Sequence, residues 1–261
     1  MRVNTKWLVI LALAAAIPLT GCGFITKLRA RDALNEGVKA FMEQKYEEAA
    51  KLFEESIRLD PEFLTAKMYL AAAYTSQFVP GSPDPKSKEN ADKAVATFKE
   101  IVAADPANTN AMVSIASLFY QMQSYDESKQ WCRKIQGVDP NNAEALYRIA
   151  VIDYDDSLSK TGLQGESVEF LTPEDREATL RNIQEGLDVL DKALQIRPDY
   201  FDAMEYQNLL WREKAKFEKD AKAKAQLIQQ ADLVAQKALM MRLKAQEEEA
   251  KKPKKLGVSK K

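Results

Sequence analysis

A short phrase recurs along this chain: a small residue, an apolar or sulfur residue four positions on, a small or apolar residue three further, and then Asp-Pro or Arg-Pro. It reads Ala49, Phe53, Ser56, Asp60-Pro61, then Ala94, Phe98, Ile101, Asp105-Pro106, then Ser128, Cys132, Ile135, Asp139-Pro140, and finally Gly186, Leu190, Ala193, Arg197-Pro198. A fifth copy, Ala231, Ala235, Ala238, lacks the proline. The second and third copies lie 34 residues apart, and the other gaps of 45, 58 and 45 exceed that period by 11, 24 and 11. Spacings of four and three put the marked residues on one helix face, and the proline then stops the helix. A unit that repeats on this scale buries its apolar face only by stacking on the next unit, so the phrase restricts the chain to an array of helices.

Each position has a mechanical reason. Two helices approach to about 8–10 Å only where the side chains at their crossing are small. Gly37 and Ala49 occupy those positions in the first helix pair, followed by Ala71 with Ala94, Ala116 with Ser128, and Ala150 with Gly186. The residue before each proline avoids the helical region, and the proline ring suits the start of the next helix. With Gly37, Tyr46, Ala49, Phe53 and Pro61 at the offsets of that pattern, residues 30–63 resemble a tetratricopeptide repeat. The resemblance spans most of the chain and weakens toward the C-terminus, where Asn208 stands at a small-residue position. It implies an all-α fold: a right-handed superhelical array of about five helix pairs over residues 31–245, with insertions in repeats two, four and five. Such arrays present surfaces to partners.

At the N-terminus, Arg2 and Lys6 precede an apolar run of 11 residues from Trp7 to Ile17, followed by Pro18 and Leu19-Thr20-Gly21-Cys22. A charged start, a short apolar stretch and a small-residue processing site describe an export signal over residues 1–21, too short to span a bilayer stably. Cleavage after Ala16 is the other reading of this segment, although Pro18 crowds such a site. The Leu-Thr-Gly-Cys string resembles the lipobox of bacterial lipoproteins. By that resemblance Cys22 becomes the acylated mature N-terminus and anchors the protein to a membrane, and Gly23 in place of Asp favours the outer membrane, facing the periplasm. Residues 22–30 then read as anchor and linker. Phe24, Ile25 and Leu28, interleaved with Lys27, Arg29 and Arg31, are either a plain start to the first helix or a segment that lies on an anionic leaflet.

The chain has no histidine, which removes Ser-His-Asp and Cys-His nucleophiles, His zinc ligands and imidazole acid–base chemistry. Carboxylates are spread across repeat positions rather than gathered, so no catalytic residues, metal ligands or cofactor site are expected, and the chain reads as a non-enzyme. Asp153, Asp155 and Asp156 fail the calcium-loop pattern, because Leu158 and Gln164 stand where Gly and Glu are needed. Once residues 1–21 are removed the net charge moves from −1 to −3, which favours no nucleic-acid partner. Cys132 falls on the core stripe of repeat three and reads as a buried small hydrophobe.

The three insertions differ. Pro80, Gly81, Pro83 and Pro85 predict an exposed loop, which is either a contact site or a tolerated insertion. Residues Asp153–Phe170 read as a solvated loop that closes at Thr172-Pro173-Glu174-Asp175, a capped restart predicting a helix from about Pro173 to Ile196. The Lys-, Ala- and Glu-rich stretch from Lys214 to Lys224 predicts two lengthened helices. The last of these should reach about Lys252 before Pro253 stops it, within a charged tail over residues 246–261 that is solvated or touches anionic lipid or wall polymer.

In tetratricopeptide arrays the first helix of each pair lines the concave face. By resemblance, Met68, Val113, Tyr120, Tyr147, Val151 and Tyr154 are the partner-binding positions, together with Ala72 and Ser117. Chaperone-binding members clamp a terminal carboxylate with Lys and Asn at positions held here by Leu34, Val38, Met68, Ala72, Val113 and Ser117, so that ligand is not expected. An apolar, aromatic groove suits an amphipathic helix or apolar peptide, unless the chain's own C-terminal helix fills it. These features describe a lipid-anchored adaptor of the cell envelope, bound to an envelope protein or peptide. Lipoproteins of similar architecture serve outer-membrane protein assembly, pilus secretins or cell-wall enzyme complexes. The alternative is a self-associating structural envelope protein with a wall- or lipid-contacting basic tail, hence a possible homo-oligomer.

Overall fold

The computed structural model describes residues 18–251, with side chains from residue 23 to 248. The export segment through Ile17, the side chain of Cys22 and the lysine-rich tail beyond Lys251 therefore lie outside the described residues. The described residues form ten α-helices and a single 3-10 turn, with no strand. The helices are α1 (Pro18–Met42), α2 (Tyr46–Leu59), α3 (Leu64–Thr75), α4 (Pro85–Ala104), α5 (Thr109–Gln121), α6 (Tyr125–Val138), α7 (Ala143–Thr161), α8 (Pro173–Ile196), α9 (Phe201–Lys216) and α10 (Ala221–Lys251). They divide between two compact units, Met1–Gln123 and Ser124–Lys261.

The recurring phrase has one backbone solution in all four proline-bearing copies. Asp60, Asp105, Asp139 and Arg197 end their helices with φ between −140° and −130° and ψ between 87° and 91°. That is the extended geometry a following proline imposes. In two copies the aspartate also builds the next turn. Asp105 accepts from the Ala107 N–H at 3.2 Å and from Asn108 Nδ2 at 3.1 Å, and Asn108 Oδ1 then caps α5 through the Ala111 N–H at 3.0 Å. Asp139, Asn141, Asn142 and Ala145 repeat this arrangement ahead of α7. An Asn three residues after the Asp thus closes one helix and opens the next.

In the first unit, α1 and α2 cross where Gly37 meets the ring of Phe53. A Cβ at residue 37 would lie 2.5 Å from Phe53 Cε1, so the close approach needs glycine. Phe53 is fully buried and stacks on Tyr69 of α3 with ring centroids 5.4 Å apart. Further along the pair, Ser56 Oγ donates to the Ala30 carbonyl at 2.7 Å, which satisfies a hydroxyl at a fully buried position. Ala66, Ala71, Ala94, Phe98 and Ile101 continue this core through α3 and α4. The proline-rich connection between those helices is an exposed loop, pinned at its base where Ser87 Oγ donates to the Val79 carbonyl at 3.1 Å and accepts from its N–H at 2.8 Å.

In the second unit α7 packs on α6, α8 and α9, and α10 packs along α9. Helix α8 runs from Pro173 to Ile196 as its sequence predicts, with Thr172 Oγ1 accepting from the Asp175 N–H at 3.1 Å. Thr172→Ala should lower the stability of this unit by ~1 kcal/mol, read as a shift in its urea midpoint, because one N-terminal donor loses its acceptor. The insertion in repeat five is absorbed by α9 and by the long α10, and the latter ends at Lys251.

Gly23 to Ala30 are helical and continuous with α1, the plain start to the first helix that the sequence offers as one of its two readings. One segment differs from its sequence expectation. Asp153–Phe170 is not one solvated loop, because α7 continues to Thr161 and carries Asp153, Ser157 and Thr161 as a buried stripe. These polar residues look like a loop in sequence, yet each is partnered. Lys129 Nζ lies 2.5 Å from Asp153 Oδ1, Ser157 Oγ donates to the Asp153 carbonyl at 2.6 Å, and Thr161 Oγ1 donates to Glu213 Oε2 at 2.8 Å. The loop proper begins at Gly162, whose φ of +76° ends the helix, and it contains the short 3-10 turn Val168–Phe170.

Candidate protein-docking surface

The six positions that the sequence marks for partner binding fall in both units and are all half-buried. Met68, Val113 and Tyr120 belong to the first, and Tyr147, Val151 and Tyr154 to the second. Half-burial suits docking, because the side chain is held in place while one flank stays open to a ligand.

Within the second unit the tyrosines are brought together, and they are joined by two that sequence reasoning missed. Tyr147 and Tyr154 are seven residues apart, two turns of α7, and so share a face. Tyr206 of α9 sits edge-on to both rings, with centroids 5.4 Å from Tyr147 and 5.6 Å from Tyr154. Tyr200, at the start of α9, lies 5.1 Å from Tyr147 and donates its hydroxyl to Glu144 Oε2 at 2.5 Å. The guanidinium of Arg197 covers the other side of the Tyr200 ring at 3.2 Å. Neither Tyr200 nor Tyr206 stands at an inward repeat position. Their signal was the pair of tyrosines just after Pro198, the proline of the fourth copy.

The electrostatics of this ladder are one-sided. Burial, then the neighbouring Tyr206, Asp202 and Glu144, raise the Tyr147 phenol above its ordinary value. Burial followed by Asp155, Asp202 and Glu205 does the same to Tyr206, and burial followed by Glu213 and Asp155 to Tyr154. The phenols therefore stay protonated at neutral pH and remain hydrogen-bond donors, set among carboxylates. Helix α10 lies beside this region as the partner of α9. Arg242 Nη2 reaches Glu205 Oε1 at 2.7 Å, its guanidinium stands 5.0 Å from the Phe201 ring, and Arg212 pairs with Asp232 at 2.5 Å.

Behind the ladder lies a charge cluster with a buried centre. Lys129 Nζ contacts Asp153 Oδ1 at 2.5 Å and Glu185 Oε2 at 2.7 Å, while Arg133 holds Glu185 Oε1 at 2.5 Å. Asp153 is 1% exposed, and burial pushes its carboxyl up to about 7 against the pull of Lys129. Burial works against the Lys129 charge too, but Asp153 and Glu185 outweigh it and hold the ammonium above its ordinary value. The cluster ties α6, α7 and α8 together around the buried Lys129–Asp153 pair, which makes it a positioning element for the tyrosine-bearing face of α7. Cys132 is fully buried on α6, and burial pushes its thiol up to about 11, far from a reactive thiolate.

Residues 87–152 match the tetratricopeptide repeat family model. Among characterised proteins, the chain is similar to Hsp70-Hsp90 organizing protein 1 of Glycine max, 28% identical over 117 residues. That match covers 45% of this chain and 18% of the relative, so the chain spans under a fifth of that protein's length. Among solved structures it is similar to a crystal structure of MamA protein, with a TM-score of 0.58 at 14% identity, covering 84% of this chain and 94% of the other. A second similar structure is MamA 41-end from Desulfovibrio magneticus RS-1, with a TM-score of 0.52 at 13% identity over 80% and 96% of the two chains. At these identities the structures speak for fold alone. The described residues thus form an all-helical repeat array, within which residues 87–152 match the tetratricopeptide repeat family.

Proposed function

We propose that this chain is a non-catalytic adaptor, exported and held at a membrane of the cell envelope through acylated Cys22, which captures an envelope protein on the first-helix faces of its repeats. The observation that carries the docking half is the tyrosine ladder of α7 and α9, with Tyr206 edge-on to Tyr147 and Tyr154. Tyrosines anchored in this way bury large rings at little entropic cost and make effective hot spots. An apolar or amphipathic segment suits these rings. The envelope assignment rests on Leu19-Thr20-Gly21-Cys22 behind an apolar export segment, with Gly23 pointing to the outer membrane. Outer-membrane protein assembly, a pilus secretin and a cell-wall enzyme complex are the processes such an adaptor would serve. The soybean relative is named for organising two chaperones. Without Lys and Asn at the clamp positions, this chain takes a different ligand.

A second reading, self-association, is favoured by α10. Leu233, Leu239, Met240 and Leu243 are exposed along it, a run of large apolar side chains that a second copy could cover.

Crosslinking in cells followed by affinity capture tests both readings. A single envelope protein should be recovered with the native chain and reduced tenfold or more with Tyr206→Ala, while the helical circular dichroism stays unchanged. Equal recovery with Tyr206→Ala would remove the ladder from the docking surface. Recovery of the chain alone, in multiples, would establish the second reading.

A further inference from the structure

The second and third turns of α1 carry an apolar face that nothing among the described residues covers. Phe24, Ile25 and Leu28 are 71%, 57% and 51% exposed, and they lie on the side of α1 opposite Ala30, Leu34 and Gly37, which pack on the array. Residues 24 and 28 are one turn apart, and residue 25 adjoins both, so the three side chains form one patch. Lys27 and Arg31 flank the patch on one side and Arg29 on the other, all exposed, against the single acid Asp32. Glu55, the acid whose field reaches Arg29, is already held by Arg58 at 2.6 Å.

Local geometry makes this a platform rather than a loose end. Helix α2 runs antiparallel to α1, and its Ser56 meets Ala30, so α2 ends within about a turn of that contact. The N-terminal turns of α1 therefore run past the end of α2 while remaining in one continuous helix with the core. Among the described residues no helix is long and apolar enough to cross a membrane. An apolar patch framed by basic side chains is suited to the boundary between acyl chains and anionic headgroups, where the rings and methyls sink in and the cations meet phosphate.

We propose that Phe24, Ile25 and Leu28, with Lys27, Arg29 and Arg31, seat α1 on an anionic lipid surface. The seating extends the anchoring reading, because Cys22 lies half a turn before Phe24 and an acyl group there would enter the same bilayer. It fixes the array against the membrane, whereas an acyl anchor alone would leave it free to rotate. Since α1 is one continuous helix from Pro18 to Met42, the seated turns set the orientation of the first helix pair.

The test uses the processed chain without its lipid, residues 22–261 carrying Cys22→Ser. The first buried side chain is Ala30, so this form keeps every described core residue. Co-flotation with vesicles of phosphatidylcholine alone, or with about one third phosphatidylglycerol, gives a partition coefficient for each composition. Binding should be selective for the anionic vesicles. It should fall more than tenfold when Phe24, Ile25 and Leu28 are all changed to Ser, and about fivefold for each of Lys27→Gln and Arg31→Gln. Because these side chains are exposed, the thermal melt of each variant should match the parent. Binding unaffected by the triple change, equal binding to both vesicle types, or binding to neither would overturn the proposal, and the last result would leave the face for a protein partner. Failure of the anchoring reading is read separately, as the absence of a diacylglyceryl mass on Cys22 of the full chain purified from cells.

Discussion

Lys129→Met is expected to destabilise the second unit by about 3–5 kcal/mol at pH 8.5 and by only about 1–2 kcal/mol at pH 5. Lys129 bridges Asp153 and Glu185 at 2.5 and 2.7 Å, so its loss leaves two carboxylates facing each other behind α7 with only Arg133 to serve one of them. A buried pair broken from one side leaves an uncompensated charge, which is costlier than replacing the pair as a whole. The pH dependence follows from Asp153, whose carboxyl is already pushed up to about 7 by burial. This native value lies above the unfolded one, near 4, so the native state holds the extra proton between the two. The stabilising contribution of that proton is therefore fully present below about pH 4 and lost as the pH rises through 7. Removal of the lysine pushes the carboxyl higher still, and the deficit concentrates at alkaline pH. Urea unfolding followed by the fluorescence of Trp131 and Trp211, both in this unit, measures it in the processed chain, which lacks Trp7. The same loss at both pH values would mean that Asp153 does not carry the cost.

Phe53→Ala should cost the first unit about 3–5 kcal/mol, the range for removing a fully buried aromatic ring. The ring fills the crossing of α1 and α2 beside Gly37 and also stacks on Tyr69, so both the first helix pair and its junction with α3 lose contact. Gly37→Ala should cost about 1–3 kcal/mol by itself, because its new methyl would lie 2.5 Å from a ring that is fully buried and has little room to withdraw. The double variant is the sharper measurement. With the ring gone, the methyl introduced at residue 37 enters the space it left, so the combined loss should fall short of the sum by at least ~1 kcal/mol. Strict additivity would show that the two residues do not share the crossing. Amide exchange along α1 and α2 reads these changes locally.

Much of the architecture was legible because its determinants are local. Proline and the residue before it fix each helix end through their own sterics, and Thr172-Pro173-Glu174-Asp175 announced the start of α8 to the residue. The small residue at each crossing was legible for a similar reason, as Gly37 against Phe53 illustrates. The polar stripe of α7 was not. Asp153 and Thr161 resemble loop residues until Lys129 and Glu213, which are 24 and 52 residues from their partners, arrive to satisfy them. Among the docking positions, the sequence placed Tyr147 and Tyr154 on one face of α7. It offered no reason to set Tyr206 between them, because Tyr206 stands outside the inward repeat positions.

The sequence by itself determined the helical class, the repeat period, the helix ends and the spacing that puts small residues at crossings, since all of these follow from interactions within one or two turns. Only the tertiary structure decided which polar residues are core, which tyrosines form a ladder, and that Phe24, Ile25 and Leu28 stay uncovered. The physical reason is burial: whether a side chain meets water, a distant carboxylate or another ring depends on helices that the chain brings together across tens of residues, and no local pattern encodes that meeting.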